Sequence, residues 1–311
     1  MLNAEQHETI LALHRAGEPI RAIARRLGVD RKAVARVISC QGSPLCGKRR
    51  DRMEIDDELL RSLHTECKGW MQRIHEKLTE EHGVQIAYST LTQRCRELGL
   101  SRGKSQKRFH HVETAPGEEM QHDTTVYTIR ILDKPVKVVA SILYLRYSKM
   151  KYLKLYLRFC RYDMKCFLHE ALMHFGCSAR ICVIDNTNLA RLSGIGYSAT
   201  IQHEMEAFSR RYGFEFLCHE RGHSNRKAGN ERCFWTTETN FLPGRSFRSL
   251  DDLNTQAFCW ATGRMASRPN GKTGAVSAEL FEYEKGHLIP VTPDLPGPTR
   301  PHRRAVDPYG C

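Results

Sequence analysis

Three acids sit on apolar strand and helix patterns that could hold them: Asp123 in MQHDTTVYTIRI, Asp185 at the end of ARICVIDN, and Glu231 in NRKAGNERCFW. A set of hard carboxylate oxygens is what Mg²⁺ or Mn²⁺ prefers as a ligand. Three carboxylates drawn within about 4 Å repel by roughly 4 kcal/mol per pair at an effective dielectric of about 20, so an empty cage would raise their pKa values. Two such cations, about 3.5 to 4 Å apart, would remove that cost and assist an in-line phosphoryl transfer, the chemistry of cutting and rejoining a polynucleotide. Taken singly, each acid has a plainer reading. Asp123 would be an exposed strand residue, Asp185-Asn186 a turn or helix cap, and Glu231 a solvated helix position.

Other chemistry-bearing residues form no comparable set. His219, Glu220 and His223 in CHERGHSN match no zinc spacing. Ser193 in LSGIG lacks the flanking pattern of a nucleophile elbow. The 12 cysteines are scattered without a Cys-x-x-Cys pair and are expected to be reduced and mostly buried. Phe234, Trp235 and Phe241 are expected in the core rather than stacked on bases.

The elements that must position the acids begin after Pro116. Residues 120–132, 135–146 and 150–159 are rich in Val, Ile, Leu and Tyr and predict three strands. A helix is expected over 161–175, a buried strand at ARICVID, a helix over 199–212, a strand at FEFLC and a last helix over about 226–241. Three strands, helix, strand, helix, strand, helix is the order of a ribonuclease-H-like fold, a mixed sheet with helices on its faces. In that order the first and fourth strands are neighbours, so Asp123 and Asp185 can meet.

The front of the chain is helical. In residues 5–38, Ile10, Leu11, Leu13, Ile20, Ile23, Leu27, Val34 and Val37 recur at helical spacing. Gly28 stops the second helix and Asp30 is placed to cap the third. That is helix-turn-helix geometry, whose last helix enters the major groove and would carry Arg31, Lys32 and Arg36 on or beside its exposed face. A second helical unit, with Tyr88-Ser89-Thr90 opening its last helix, reads as another helix-turn-helix or winged unit offering Arg94 to DNA. The alternative is a helical spacer that only sets domain separation. SRGKSQKRFHH after it is a basic tether.

Composition agrees with a nucleic-acid partner: 48 Lys and Arg stand against 35 Asp and Glu, a net charge of +13. No apolar run approaches the roughly 20 residues that span a bilayer, and the amino terminus is not a signal peptide. A cytoplasmic, nucleoid-associated protein with no membrane contact is expected.

The pattern QHD, VIDN, then NRKAGNER followed by NFLPGRSFRSLDDLN resembles the transposases of insertion sequence family 21, the IstA type, within the DDE transposase and retroviral integrase superfamily. The resemblance implies an enzyme that cuts at element ends and joins the 3′ ends to target DNA. It implies Asp123, Asp185 and Glu231 as catalytic and metal-holding residues, with two Mg²⁺ or Mn²⁺ ions, and Lys227 near double-stranded DNA. It also implies an AAA+ helper ATPase as partner and a homo-multimer in a synaptic complex. Thr124 stands where the family usually has an aromatic residue. Residues 290–311 contain a Pro-rich linker, and RRAVDPYG resembles the start of the family's carboxy-terminal β-barrel, so a chain truncated before or within that barrel is expected. A catalytically inert DNA-binding remnant, or an inhibitor of a full-length transposase, is the alternative.

The expected molecule is multidomain: all-α helix-turn-helix amino-terminal domains followed by an α/β ribonuclease-H-like catalytic core. Its divisions are a helix-turn-helix domain over 1–40, a linker over 41–52, the second helical unit over 53–100 and a basic linker over 101–115. The catalytic core spans 116–262 and a carboxy-terminal extension 263–311.

Overall fold

The computed structural model describes residues 4–39, 55–100, 114–185, 188–194, 196–219, 232–271 and 273–300. The chain forms two compact units, residues 1–56 and 57–311.

The first unit holds α1 (Ala4–Arg15), α2 (Ile20–Leu27) and α3 (Arg31–Ser39). Ile10, Ile23, Val34 and Val37 close its core, one or two from each helix. Gly28 ends α2 at φ 63°, a left-handed conformation that costs a side chain with a Cβ. Asp30 then caps α3, its Oδ1 accepting from the amides of Lys32 at 2.7 Å and Ala33 at 3.3 Å. Cap and stop fix the tight turn between α2 and α3 that the sequence predicts.

The second unit opens with α4 (Asp57–Glu66), α5 (Met71–Glu80) and α6 (Tyr88–Glu97). Residues 84–87 form an irregular connection, so no wing strand accompanies these helices among the described residues. The sheet follows: β1 (Glu119–Ile131), β2 (Lys134–Leu145), β3 (Lys151–Tyr156), β5 (Ile181–Ile184) and β8 (Glu215–Cys218), in the order β3-β2-β1-β5-β8. The first three strands are antiparallel; β5 and β8 run parallel to β1. A two-residue turn at Leu132 and Asp133, both at positive φ, joins β1 to β2. Between them, α7 (Arg161–Phe175) and α8 (His203–Arg211) make the crossovers. This is the ribonuclease-H-like topology.

Each sheet face has its own core. Met120, Leu143, Leu145, Cys182 and Ile184 pack with Phe167, Leu168, Met205 and Phe208 of α7 and α8. The opposite face packs Ile129, Ala140, Ile142, Tyr144 and Leu155 against two further helices. These are α9, described from residue 232 and passing into a π-helical turn at Thr237–Phe241, and α10 (Leu250–Phe258), passing into a second at Cys259–Arg264. A threonine run explains the first widening. Thr236, Thr237 and Thr239 give their hydroxyls to the carbonyls of Arg232, Cys233 and Trp235, competing with the helix's own amides.

Some boundaries differ from expectation. Cys177–Ser178 forms a short strand, β4, and α8 starts at His203 rather than 199. Thr200–Ile201 (β7) instead pairs with Arg191–Ser193 (β6) in a small hairpin. After α11 (Met265–Ser267), α12 (Ser277–Lys285) buries Glu284, which accepts from the amides of Gly117 at 3.2 Å and Ser148 at 3.0 Å and so pins two turns at the sheet's edge. Ile289–Pro290 (β9) pairs with β4. The Pro-rich stretch beyond is held onto α7 and α8: Tyr162 donates to the Pro298 carbonyl at 3.3 Å and Arg211 to that of Pro296 at 2.9 Å.

Candidate active site

The site starts from strand register. β1 and β5 pair in parallel as Glu119↔Ile181 through His122↔Ile184, so the next residue of each chain, Asp123 and Asp185, come to adjacent positions. Neighbouring strands lie roughly 4.8 Å apart. β5 ends there, whereas β1 continues to Ile131 against β2. The two acids therefore stand at the carboxyl end of β5, the end at which ligands of α/β sheets bind.

Strand alternation sets the face. Met120 belongs to the core beneath α7 and α8, so Asp123, an odd step away on the same strand, turns to the other face, on which α9 packs, while Asp185 follows the last residue of β5. Both are half-buried. Asp123 is fixed further by its Oδ1, which accepts from the Thr124 amide at 2.8 Å. His122 points to the α7 side, bonds the Ser141 hydroxyl at 2.9 Å and stacks on Phe159. Burial pushes its pKa down to about 3, so it is a neutral core residue and no proton carrier at neutral pH.

α9 packs on the sheet face to which Asp123 belongs. The Tyr127 hydroxyl donates to the Phe234 carbonyl at 3.5 Å, and Cys233 packs in the same core as Tyr144, the partner of Gln121 across β1 and β2. The described start of α9 thus lies over the stretch of β1 between Gln121 and Tyr127, which contains Asp123. Glu231, the residue before it, lies outside the described residues, as do Lys227, Glu220 and His223. Among the described residues the fold brings Asp123 and Asp185 together, and no group of three metal donors occurs. Nine cysteines are described, free, and mostly buried as expected.

On the DNA side, Arg31, Lys32 and Arg36 are exposed along α3. The sequence reading did not single out Arg21 and Arg25, also exposed, on α2; the strong one-sidedness of that helix was the available signal. Arg94 is placed otherwise. Its guanidinium holds Asp57 of α4 at 2.6 Å and Glu97 at 3.3 Å, so it pins α6 to α4, and a phosphate would have to compete with two carboxylates. Trp235, expected in the core, is 56% exposed, while Phe234 and Phe241 are buried. Successive helix residues turn by about 100°, and with Cys233 and Phe234 facing the core Trp235 falls outside it.

Residues 2–39 match the helix-turn-helix domain family. Over 309 residues the chain is 26% identical to a protein inferred to be the transposase for insertion sequence element IS5376 of Geobacillus stearothermophilus, spanning 94% of this chain and 73% of that protein. The fold resembles the simian T-cell lymphotropic virus intasome in complex with PP2A regulatory subunit B56 gamma, with a TM-score of 0.40 at 12% identity over 74% of this chain and 78% of that chain. It also resembles the HTLV-2 integrase catalytic core domain in complex with magnesium, with a TM-score of 0.34 at 15% identity over 53% of this chain and 97% of that chain. At these scores the likeness says nothing about chemistry, and the ribonuclease-H-like assignment stands on the strand order. No helix among the described residues is long and apolar enough to cross a membrane.

Proposed function

We propose that this chain is a DNA transposase of the integrase type, which cuts at the ends of an insertion sequence and joins the freed 3′ ends to target DNA. The observation that carries the reading is the parallel register placing Asp123 beside Asp185 at the carboxyl end of β5. The transposase relative and the basic helix-turn-helix unit support it. Asp123 and Asp185, joined by Glu231 from the segment before α9, are the catalytic acids.

Two half-buried carboxylates on adjacent strands are a hard-oxygen donor set that suits Mg²⁺ or Mn²⁺. Bound there, the cations would supply charge neutralisation and Lewis acidity for phosphoryl transfer. The protein's part is geometric: β1 holds Asp123 within the strand, β5 delivers Asp185 just past its last residue, and α9 packs on the sheet face of Asp123. Arg31, Lys32 and Arg36 hold the duplex, with Lys227 near bound DNA. In the IstA-type reading the working form is a homo-multimer that brings two element ends together in the bacterial cytoplasm, at the nucleoid, with an AAA+ ATPase as helper.

Asp185→Asn tests this. The variant is expected to lose end cutting and strand joining by at least about a hundredfold while binding duplex as the wild type does. Undiminished joining by Asp185→Asn would refute the assignment.

A further inference from the structure

Trp235 differs from its neighbours on α9. Cys233, Phe234 and Phe241 are buried, whereas Trp235 keeps 56% of its surface open. Trp70, half-buried at the amino-terminal boundary of α5, meets it edge to face, with ring centroids 5.7 Å apart and planes at 87°. The two rings come from segments far apart in the chain, and a buried polar lock holds those segments together. Asn240 donates to Glu76 at 2.8 Å, Trp260 donates to Asn240 at 2.7 Å, and the Arg73 Nε donates to the Pro243 carbonyl at 3.1 Å. The aromatic pair is therefore preformed on a rigid scaffold.

What covers this exposed indole must suit a flat π face with cations close by in the chain. Arg232 lies three residues before Trp235 on the same side of α9, and Lys68 two residues before Trp70, both exposed. A nucleobase with its phosphates fits that arrangement, ring on ring and phosphate beside guanidinium or ammonium. A base inside a duplex hides both faces, so the occupant has to be unpaired. We propose that Trp235, backed by Trp70 and flanked by Arg232 and Lys68, is a stacking platform for an unpaired base of the DNA substrate. This rests on the transposase reading, since α9 lies over Asp123 and an opened DNA end is what that reaction brings there.

The test is equilibrium binding of the full chain, in chelator, to a blunt duplex and to the same duplex with a short oligothymidine tail. Wild type should bind the tailed duplex roughly tenfold more tightly, the scale of one base stacked on an aromatic ring. Trp235→Ala and Trp235→Leu should both lose that advantage with blunt-duplex affinity unchanged, while Trp235→Phe keeps most of it. The leucine variant preserves apolar bulk, so it decides the matter should the alanine variant fail to fold. Equal affinity of the wild type for both duplexes would overturn the platform, as would equal weakening of both by Trp235→Leu. So would a tail advantage intact in Trp235→Leu alongside lost self-association, which would assign Trp235 to a protein contact. Because no metal is present, these outcomes are independent of strand joining. Joining without a tail advantage removes the platform alone; a tail advantage without joining removes the transposase reading alone.

Discussion

Asp123 and Asp185 reach the same place by different constraints. Asp123 is held mid-strand, paired to Ile142 of β2 and tied to the Thr124 amide, whereas Asp185 follows the last residue of β5. A rigid donor beside one at a strand terminus suits a site in which the strand sets position and the terminus adapts to what is bound. Metal binding should then appear as stability, because a ligand that binds only the folded state stabilises by about 2.7 kcal/mol at a hundred times its Kd. Mn²⁺ is expected to raise the melting temperature of the wild type by several degrees and that of Asp123→Asn by less than half as much. Equal shifts in a thermal scan would mean that Asp123 is no part of a preformed site. That these two positions meet was legible from sequence, because the expected element order makes the first and fourth strands neighbours. Trp235 was misread because its aromatic neighbours suggested a core, and only the rotation of α9 shows which of two adjacent rings turns inward.

The elements divide by how local their determinants are. The strands, α7 and the helix-turn-helix follow from periodicity and caps within a few residues, and the sequence predicts them closely. The role of α5 does not follow in this way. Arg73, Glu76 and Lys77 are charged yet buried, and their partners Asn240, Pro243 and Gly244 lie more than a hundred residues away. Glu76 also receives Arg264 at 3.0 Å. The helical unit α4–α6 is thereby locked to the two π-helical turns, and that rigidity decides between a loose spacer and a fixed part of the second unit. Removing one partner of a buried ion pair leaves the other charge unmatched, at a cost of about 3 to 5 kcal/mol. Glu76→Ala should lose stability toward the low end of that scale, because Arg73 keeps Glu81 and Arg264 keeps Glu80. With Asn240→Ala it should show a coupling energy of about 0.5 to 3 kcal/mol in a double-mutant cycle. All 3 tryptophans, Trp70, Trp235 and Trp260, belong to the second unit, so their fluorescence in urea follows that unit alone. Strict additivity would mean that the lock is two independent contacts.

In the proposed transposase reading, recognition and chemistry fall to different compact units. The first unit closes its own core from Ile10, Ile23, Val34 and Val37, and exposes Arg31, Lys32 and Arg36; the second carries the acids. The net charge of +13 predicts binding that weakens with salt, because each phosphate neutralised by a lysine or arginine releases counterions. If α3 makes the duplex contacts, Lys32→Ala in the full chain should lower the slope of log affinity against log salt by about 1, and should weaken joining only as far as it weakens binding. Its Mn²⁺-induced thermal shift should equal that of the wild type. Asp123→Asn should do the reverse, losing most of the metal shift and leaving the salt slope intact. This crossed pattern is informative because a general loss of folding would lower both readouts in both variants. A salt slope left unchanged by Lys32→Ala would move the principal DNA contact off α3. A metal shift lost in Lys32→Ala would show that the two units do not act separately, since a charge on one would then govern the acids of the other.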